Sequence, residues 1–551
     1  MSNFDFSVLF GGKAGDGIRQ LGQLWARLLA RRGLRVFLYD DYPSLIRGGH
    51  NFTVVRAAEF PVLAHRERVD LLVALNAFTL EKHRRTMAER NVVLFDSSTF
   101  EAPGIGVPWS GIVKDLSTPP ITRNTAALAS AARILGLPFE ELAETLRRDL
   151  PKATEVNLEV ARKSYELTPP PPGRTLPRSE GTVWPTLFGN EALVLGAVAA
   201  GLRFYVAYPM TPASSILHYF ARHGETLGVT TIHPENEIAA ILCAMGAACA
   251  GKPAMVGTSG GGFALMVEAL SLAGQAEIPI VVVECQRPGP GTGVPTYTMQ
   301  ADLDFVLSAG HGEFPRVVLA PGDAAQAFHL AALALKLAWH YQIPVLLLSD
   351  KHLSESLFNQ ELPLVEVPRV SFKSWNGERE YRRYAVTGDG ISPLAFPGDP
   401  RAVVKVTSYE HDSYGITTEE PEDIVRMQDK RLRKVRGLRE ELDRPEMVAV
   451  EGDGERALCV WGSTRGAALE VARKLGLRYV QPLVLEPFPE KTLRKALRGV
   501  RHLVVAETNA TGQLARRLEA HGFPVEEVLL RYDGRPFTVE DLERRLYGVS
   551  P

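Results

Sequence analysis

The chain reads as an α/β protein of three sheet-and-helix units, and three observations predict it. Short apolar, β-branched runs alternate with helix-length segments from Ser7 onward. Several strand-to-helix turns carry clustered glycines, as at Gly11-Gly12-Lys13-Ala14-Gly15-Asp16-Gly17 and Gly260-Gly261-Gly262. The alternation is broken by a stiff spacer, Pro169-Pro170-Pro171-Pro172-Gly173, and by a turn-rich, charged stretch from about Leu362 to Glu440. These breaks predict a first unit over residues 1–168, a linker over 169–185, a second unit over 186–365, a connector over 366–450 and a third unit over 451–551. A length of 551 residues with 45% hydrophobic content can build that many cores.

The first unit opens with a strand from Ser7, the glycine-rich turn, an amphipathic helix to about Arg32 and a strand from Leu34 to Tyr39 ending at Asp40-Asp41. Further strands are predicted near Leu71–Leu75 and Val92–Phe95. This is a βαβ start, but the glycines read G-G-x-x-G-x-G and match a dinucleotide fingerprint only in part. A nicotinamide-linked enzyme centred on this unit is therefore a disfavoured alternative.

The second unit starts with a small-residue helix at Gly189-Asn190-Glu191-Ala192 and runs through buried strands to Val345–Ser349. The apolar run Phe204–Ala207 ends in Tyr208-Pro209-Met210-Thr211-Pro212-Ala213-Ser214, a turn that offers the Thr211 hydroxyl. Both prolines disfavour helical geometry in the residue before them. The strand-like Thr230–His233 leads through Pro234-Glu235-Asn236-Glu237 into an almost wholly apolar helix, Ile238–Cys249. Glu237 stands in its first turn, where the helix dipole favours a carboxylate. Alone it is equally an ordinary helix-start charge, but the apolar small-residue surroundings suit it to proton transfer. Val256-Gly257-Thr258-Ser259-Gly260-Gly261-Gly262 is either a tight βα connection or a place where backbone meets a ligand. The strand Ile280–Val283 ends in Glu284-Cys285-Gln286-Arg287, followed by Pro288-Gly289-Pro290-Gly291-Thr292-Gly293. Arg287 is thus either a surface arginine or a clamp for a carboxylate. A hydroxyl, a carboxyl and a guanidinium delivered by three strand ends to one sheet edge point to a binding site.

The connector carries Asp389-Gly390-Ile391-Ser392-Pro393, Glu410-His411-Asp412 and a basic cluster, Lys430, Arg431, Arg433, Lys434 and Arg436, read as a solvated helix face. The third unit reads as a strand, Ala457–Trp461, a turn at Gly462-Ser463-Thr464-Arg465-Gly466, a helix, and strands ending at Pro482 and at Glu507-Thr508-Asn509.

With 62 basic and 64 acidic residues the formal charge is −2, so no global field favours nucleic acid or an anionic membrane. Long apolar runs are broken before ~18 residues and Met1-Ser2-Asn3-Phe4-Asp5 lacks a basic leader, so a cytoplasmic location is expected. The four cysteines are scattered without a Cys-x-x-Cys pair, and Cys243 and Cys249 read as buried small hydrophobes. No metal-ligating residue is expected, and any cluster the function needs belongs to a partner.

In order, Gly189-Asn190-Glu191-Ala192, Tyr208-Pro209-Met210-Thr211-Pro212, Pro234-Glu235-Asn236-Glu237 and Arg287-Pro288-Gly289-Pro290-Gly291-Thr292-Gly293 resemble the 2-oxoacid:ferredoxin oxidoreductases, which are thiamine diphosphate enzymes. The resemblance is to an alpha subunit with its gamma domain fused in front. It implies a Rossmann-like gamma domain, marked by Gly11–Gly17 and Arg47-Gly48-Gly49-His50, then a pyrimidine-binding domain, a connector of the 2-oxoglutarate type and a transketolase C-terminal-like domain. Glu237 matches the glutamate that hydrogen-bonds N1′ of the cofactor's aminopyrimidine. Thr211 and Arg287 match the residues that meet the 2-oxoacid carboxylate, and backbone at Pro209, Gly260 and Gly261 is expected against the cofactor. The family's diphosphate and Mg²⁺ motif lies on a beta subunit, as does a [4Fe-4S] cluster. The resemblance thus implies an incomplete enzyme that works in an (alpha-beta)2 assembly with CoA, a 2-oxoacid and ferredoxin. The connector favours 2-oxoglutarate, with pyruvate or branched-chain oxoacids next; a non-catalytic assembly or regulatory subunit of the same fold is the alternative. Pro288 and Gly291 replace a glycine and a serine usual in the family, and Met210 an isoleucine, which bears on substrate preference.

Overall fold

A computed structural model describes residues 4–44, 49–170, 175–179 and 181–548. The Arg47-Gly48 part of the first-unit marks and Pro171-Pro172-Gly173 of the spacer lie outside the described residues. The chain divides into two compact units, Met1–Leu187 with Glu355–Glu361 and Thr538–Pro551, and Phe188–Ser354 with Leu362–Phe537.

In the first unit, β1 (Asp5–Lys13) is followed by the helix Ile18–Arg31, which buries Leu21, Leu24, Trp25 and Leu28 at helical spacing, and then by β2 (Arg35–Asp41). These two strands are not neighbours. Between them lies β3 (His50–Ala58), antiparallel to both, with Arg56 opposite Ser7 on one side and Phe37 on the other. The sequence reading did not single out β3 because Arg56 interrupts its apolar pattern. Asp5 neutralises that buried guanidinium through two 2.9 Å hydrogen bonds. β4 (Val69–Ala74), β5 (Met87–Asp96) and β6 (Ile105–Val107) extend the sheet in parallel from β1, and Leu357–Asn359 and β7 (Thr186–Phe188) complete eight strands in the order β6-β5-β4-β1-β3-β2-(357–359)-β7.

The second unit holds two sheets. β8 (Phe204–Val206), β9 (Thr230–Ile232), β10 (Ala254–Thr258), β11 (Ile280–Gln286), β12 (Val317–Leu319) and β13 (Pro344–Asp350) pair in parallel, and Val484–Glu486 adds an antiparallel edge, giving the order (484–486)-β12-β13-β11-β10-β8-β9. Every residue of β11 and β13 is buried, as expected for strands covered on both faces. Each fully buried Val, Ile or Leu contributes about 1.5–3 kcal/mol. On one face the helices Gly189–Ala200 and Ala324–Tyr341 meet backbone to backbone, since a Cβ at Gly196 would fall 1.9 Å from the Phe328 carbonyl oxygen. The other sheet orders Val448–Glu451, Arg478–Pro482, Arg456–Cys459, His502–Glu507 and Glu527–Leu530. Glu507 is fully buried and accepts from Trp461 Nε1, Asn509 Nδ2 and the Leu514 and Ala515 amides, which anchors the start of the helix Gln513–Ala520.

The basic cluster of the connector is not a solvated face. It lies on the helix Pro421–Leu442, where Lys430 and Lys434, four residues apart, turn inward and are at most 1% exposed. Both meet the buried carboxylate of Glu277, at 2.6 Å and 2.5 Å. Arg431 is buried too and pairs with Glu410, while Arg433 and Arg436 remain exposed. Charge patterning along the helix cannot reveal an anion more than a hundred residues upstream. Burial opposes ionisation of Glu277, but Lys430, Lys434 and Arg383 outweigh it and hold its pKa well below the carboxylate range. Burial lowers Lys434 to about 7, with Glu277 opposing.

Glu277→Gln should destabilise the chain by about 3–5 kcal/mol, because it strands two buried ammonium groups. A lysine whose folded pKa is depressed costs stability while protonated, and that cost fades as rising pH removes the proton. Glu277 raises the Lys434 pKa, so its loss moves that pKa below about 7, and thermal unfolding should show a deficit largest in acid that shrinks as the pH rises towards about 7.

Candidate functional site

Parallel pairing brings four strand ends to one edge: Val206 pairs with Ile232 and Val256, and Thr258 with Glu284. β8 leads into the Tyr208–Pro212 turn and the helix Ser214–Leu227. After β9, the Asn236 side chain accepts from the Ala239 amide at 2.9 Å and caps the helix Glu237–Cys249, which puts Glu237 in its first turn. β10 opens into the helix Gly260–Gln275, and β11 is followed directly by Arg287.

The structure joins Thr211 to Arg287. Arg287 Nη1 donates to the Thr211 carbonyl oxygen at 2.8 Å, which fixes the guanidinium beside the turn. The turn is braced from beneath by Asn190, buried at the start of the 189–200 helix, whose Nδ2 donates to Pro212 O at 3.1 Å and to Ser215 Oγ at 2.8 Å. Glu237 is 3% exposed and its Oε1 has no hydrogen-bond partner. Ser259 Oγ, at the start of the 260–275 helix, is likewise buried and unpartnered. Buried polar atoms left in this way call for a partner, either a water or a bound group. Gly262 clears the space, since a Cβ there would lie 2.5 Å from Glu237 Oε1 and 2.2 Å from Thr258 Oγ1. Gly260 faces Asp302, whose Oδ2 would be 2.7 Å from an added Cβ, whereas Gly261 is exposed. Pro209 lines a cavity of about 850 Å³ with Leu217, His218, Phe220 and His233, and Thr211, Glu237 and Arg287 are not part of its lining.

Three acidic residues given no role from the sequence belong to this region. Glu284 on β11 is fully buried and neither carboxylate oxygen has a partner. Burial raises its pKa well above the carboxylate range, Asp302 and Asp350 push the same way, and Arg287 opposes them. Burial raises Asp302 to about 6. Asp350 is raised by burial and restrained by hydrogen bonds, among them those from Thr298 Oγ1 at 3.1 Å and the Leu353 amide at 3.0 Å. For Glu284 the available signal was an acidic residue inside an otherwise apolar strand.

Neither Cys243 nor Cys249 is buried as expected: Cys243 is exposed and Cys249 half-buried. The 237–249 helix is apolar on every side, so its pattern could not say which side faces the core. Its outer side presents Ile238 and Leu242, 47% and 42% exposed, and the 260–275 helix, which packs against it, presents Leu265 at 49%.

Residues 195–430 match the family model described as "pyruvate flavodoxin/ferredoxin oxidoreductase, thiamine diP-bdg", and residues 7–167 the one described as "pyruvate ferredoxin/flavodoxin oxidoreductase". The chain is 32% identical to the alpha subunit of a 2-oxoacid:ferredoxin oxidoreductase from Aeropyrum pernix, over 97% of this chain and 96% of that one. It is 28% identical to the 2-oxoglutarate oxidoreductase subunit KorA of Mycobacterium tuberculosis, over 98% and 90%. A solved 2-oxoglutarate:ferredoxin oxidoreductase from Magnetococcus marinus, with 2-oxoglutarate, coenzyme A and succinyl-CoA bound, superposes with a TM-score of 0.91 at 30% identity, covering 99% of both chains.

Gly262→Ala should cost about 1–3 kcal/mol by overpacking, seen as a lowered melting temperature. Gly261→Ala should be close to neutral, since its added Cβ meets no atom nearer than Gly291 O at 3.9 Å. Equal losses in the two variants would refute a cleared space specific to position 262.

Proposed function

Because the chain belongs to the alpha subunits of the 2-oxoacid:ferredoxin oxidoreductases, an oxidoreductase family with a thiamine diphosphate-binding domain, we propose that it supplies the aminopyrimidine half of the active site and the contacts to the substrate carboxylate. The observation that carries this reading is the unpartnered, buried Oε1 of Glu237 beside the space cleared by Gly262, at the sheet edge where Arg287 and Thr211 are joined. These residues fit the cofactor. Glu237 would hold a hydrogen bond, and share a proton, at N1′ of the aminopyrimidine, with backbone at Pro209, Gly260 and Gly261 against it. Bound thiamine diphosphate supplies the carbon nucleophile that attacks the 2-oxo group and retains the electrons released with CO₂. Arg287, its plane set by the Thr211 carbonyl, pairs with the oxoacid carboxylate, and the Thr211 hydroxyl contacts that same group.

A beta subunit completes the site with the cofactor's diphosphate, its Mg²⁺ and a [4Fe-4S] cluster, in an (alpha-beta)2 assembly. That cluster would carry electrons singly to ferredoxin, and CoA would be the acyl acceptor. The exposed, uncharged Ile238, Leu242 and Cys243 on the helix that Glu237 opens support a partner at this edge, since apolar surface of that kind is characteristic of the core of an interface. 2-Oxoglutarate is the substrate we favour, supported by the connector and by relatives named for 2-oxoglutarate. Among the described residues no helix is long and apolar enough to cross a membrane.

The test is to co-purify the chain with its beta subunit and follow viologen reduction with CoA over a panel of oxoacids. 2-Oxoglutarate should give the highest kcat/KM; preference for pyruvate or a branched-chain oxoacid would change the substrate alone. Glu237→Ala should lower turnover by at least ~10²-fold while the complex still assembles. Retained activity would exclude the role assigned to Glu237.

A further inference from the structure

Glu284 is an anomaly of the second unit: a fully buried carboxyl with two unpartnered oxygens. Its place in the sheet is specific. It pairs with Thr258 of β10 on one side and Leu348 of β13 on the other, so its side chain shares a face with Thr258. Thr258 Oγ1 and Glu237 Oε1 flank the missing Cβ of Gly262. Cys285, the next residue along, points to the opposite face, where its Sγ lies 4.0 Å from Asn190 Oδ1. Glu284 therefore lies on the sheet face of Thr258, three residues before Arg287.

The charged groups around it come from several elements. Arg287 follows on its own chain, Asp302 stands ahead of the helix Leu303–Ser308, Asp350 ends β13, and Glu237 opens the 237–249 helix on the shared face. An ionised Glu284 would be a buried anion without a hydrogen bond, facing two other carboxyls, and would pair with the guanidinium of Arg287. We propose that Glu284 is held as the neutral acid, and that its neutrality leaves the charge of Arg287 to the substrate carboxylate. It is a positioning residue that acts through Arg287, and the proposal rests on the assignment of Arg287 to the oxoacid. Burial and the acidic neighbours favour the neutral form, and only Arg287 among the groups acting on it opposes them.

The sign follows. Raising the pH until Glu284 ionises gives Arg287 an internal counter-ion, so the KM for the oxoacid rises while kcat changes little. Two measurements test this. In the full chain labelled with ¹³C-carboxyl glutamate, the infrared carbonyl band of a protonated acid should be present at neutral pH and disappear as the pH is raised. In the assembled complex, KM should rise about tenfold over that same interval, the loss expected for a charge-assisted contact. Glu284→Gln should abolish the rise, and Glu284→Asp should retain it. The proposal is overturned by absence of the band at neutral pH, by a KM that stays flat while the band disappears, or by a Glu284→Gln complex whose KM still climbs. A wild-type complex that turns over no 2-oxoacid would overturn the functional reading instead, and the infrared band would still decide the protonation of Glu284.

Discussion

Six strands, β9-β8-β10-β11-β13-β12 in space, run parallel, and parallel pairing makes every segment leave the sheet at the same edge. That constraint places the turn at Thr211, the capped helix at Glu237, the glycines after β10 and the guanidinium of Arg287 within one region, although they span more than seventy residues of sequence. It also sets the region's chemistry. Helix starts supply unsatisfied amides and favour negative charge, while buried strands exclude water. Glu237 Oε1 and Ser259 Oγ stay without partners at this edge, and such groups are tolerated where a ligand is to meet them.

Two glutamates seven residues apart show how far surroundings decide what a carboxyl does. Glu277 and Glu284 are both at most 1% exposed. Glu277 faces Lys430 and Lys434 from the 421–442 helix and is an anion, and its negative charge holds the connector against the second unit's core. For Glu284, burial first and then Asp302 and Asp350 favour the neutral acid, with Arg287 alone opposing them. The desolvation cost is similar in the two, and the sign of the neighbouring charge separates them. The first residue is an anchor for the fold, and the second adjusts the electrostatics of the site.

Membership of the 2-oxoacid:ferredoxin oxidoreductases gives this arrangement a chemical context. An alpha subunit works as part of a larger enzyme, and the uncharged outer side of the 237–249 helix fits that division of labour. A helix that is apolar all round needs two apolar neighbours. The sheet of its own chain provides one.

The sequence by itself determined a good deal. The α/β class, several strands of the parallel sheet and the placing of Thr211, Glu237 and Arg287 at strand ends or a helix start were legible because each depends on local pattern: apolar β-branched runs, proline and glycine at turns, a carboxylate opening an apolar helix. The spacing of motifs carried the family. What only the tertiary structure decided is everything that depends on a partner distant in sequence. β3 was obscured because its buried Arg56 reads as a break until Asp5 is seen beside it. The inward turn of Lys430 and Lys434 needed Glu277, and the environment of Glu284, its burial first and then Asp302 and Asp350, is set by the fold. Arg287 was found as a charge, but its anchoring on the Thr211 carbonyl appears only in the fold. The physical reason is common to all of these. Periodicity and turn chemistry act over a few residues, whereas a buried charge takes its meaning from whichever groups the fold places within a few ångströms of it.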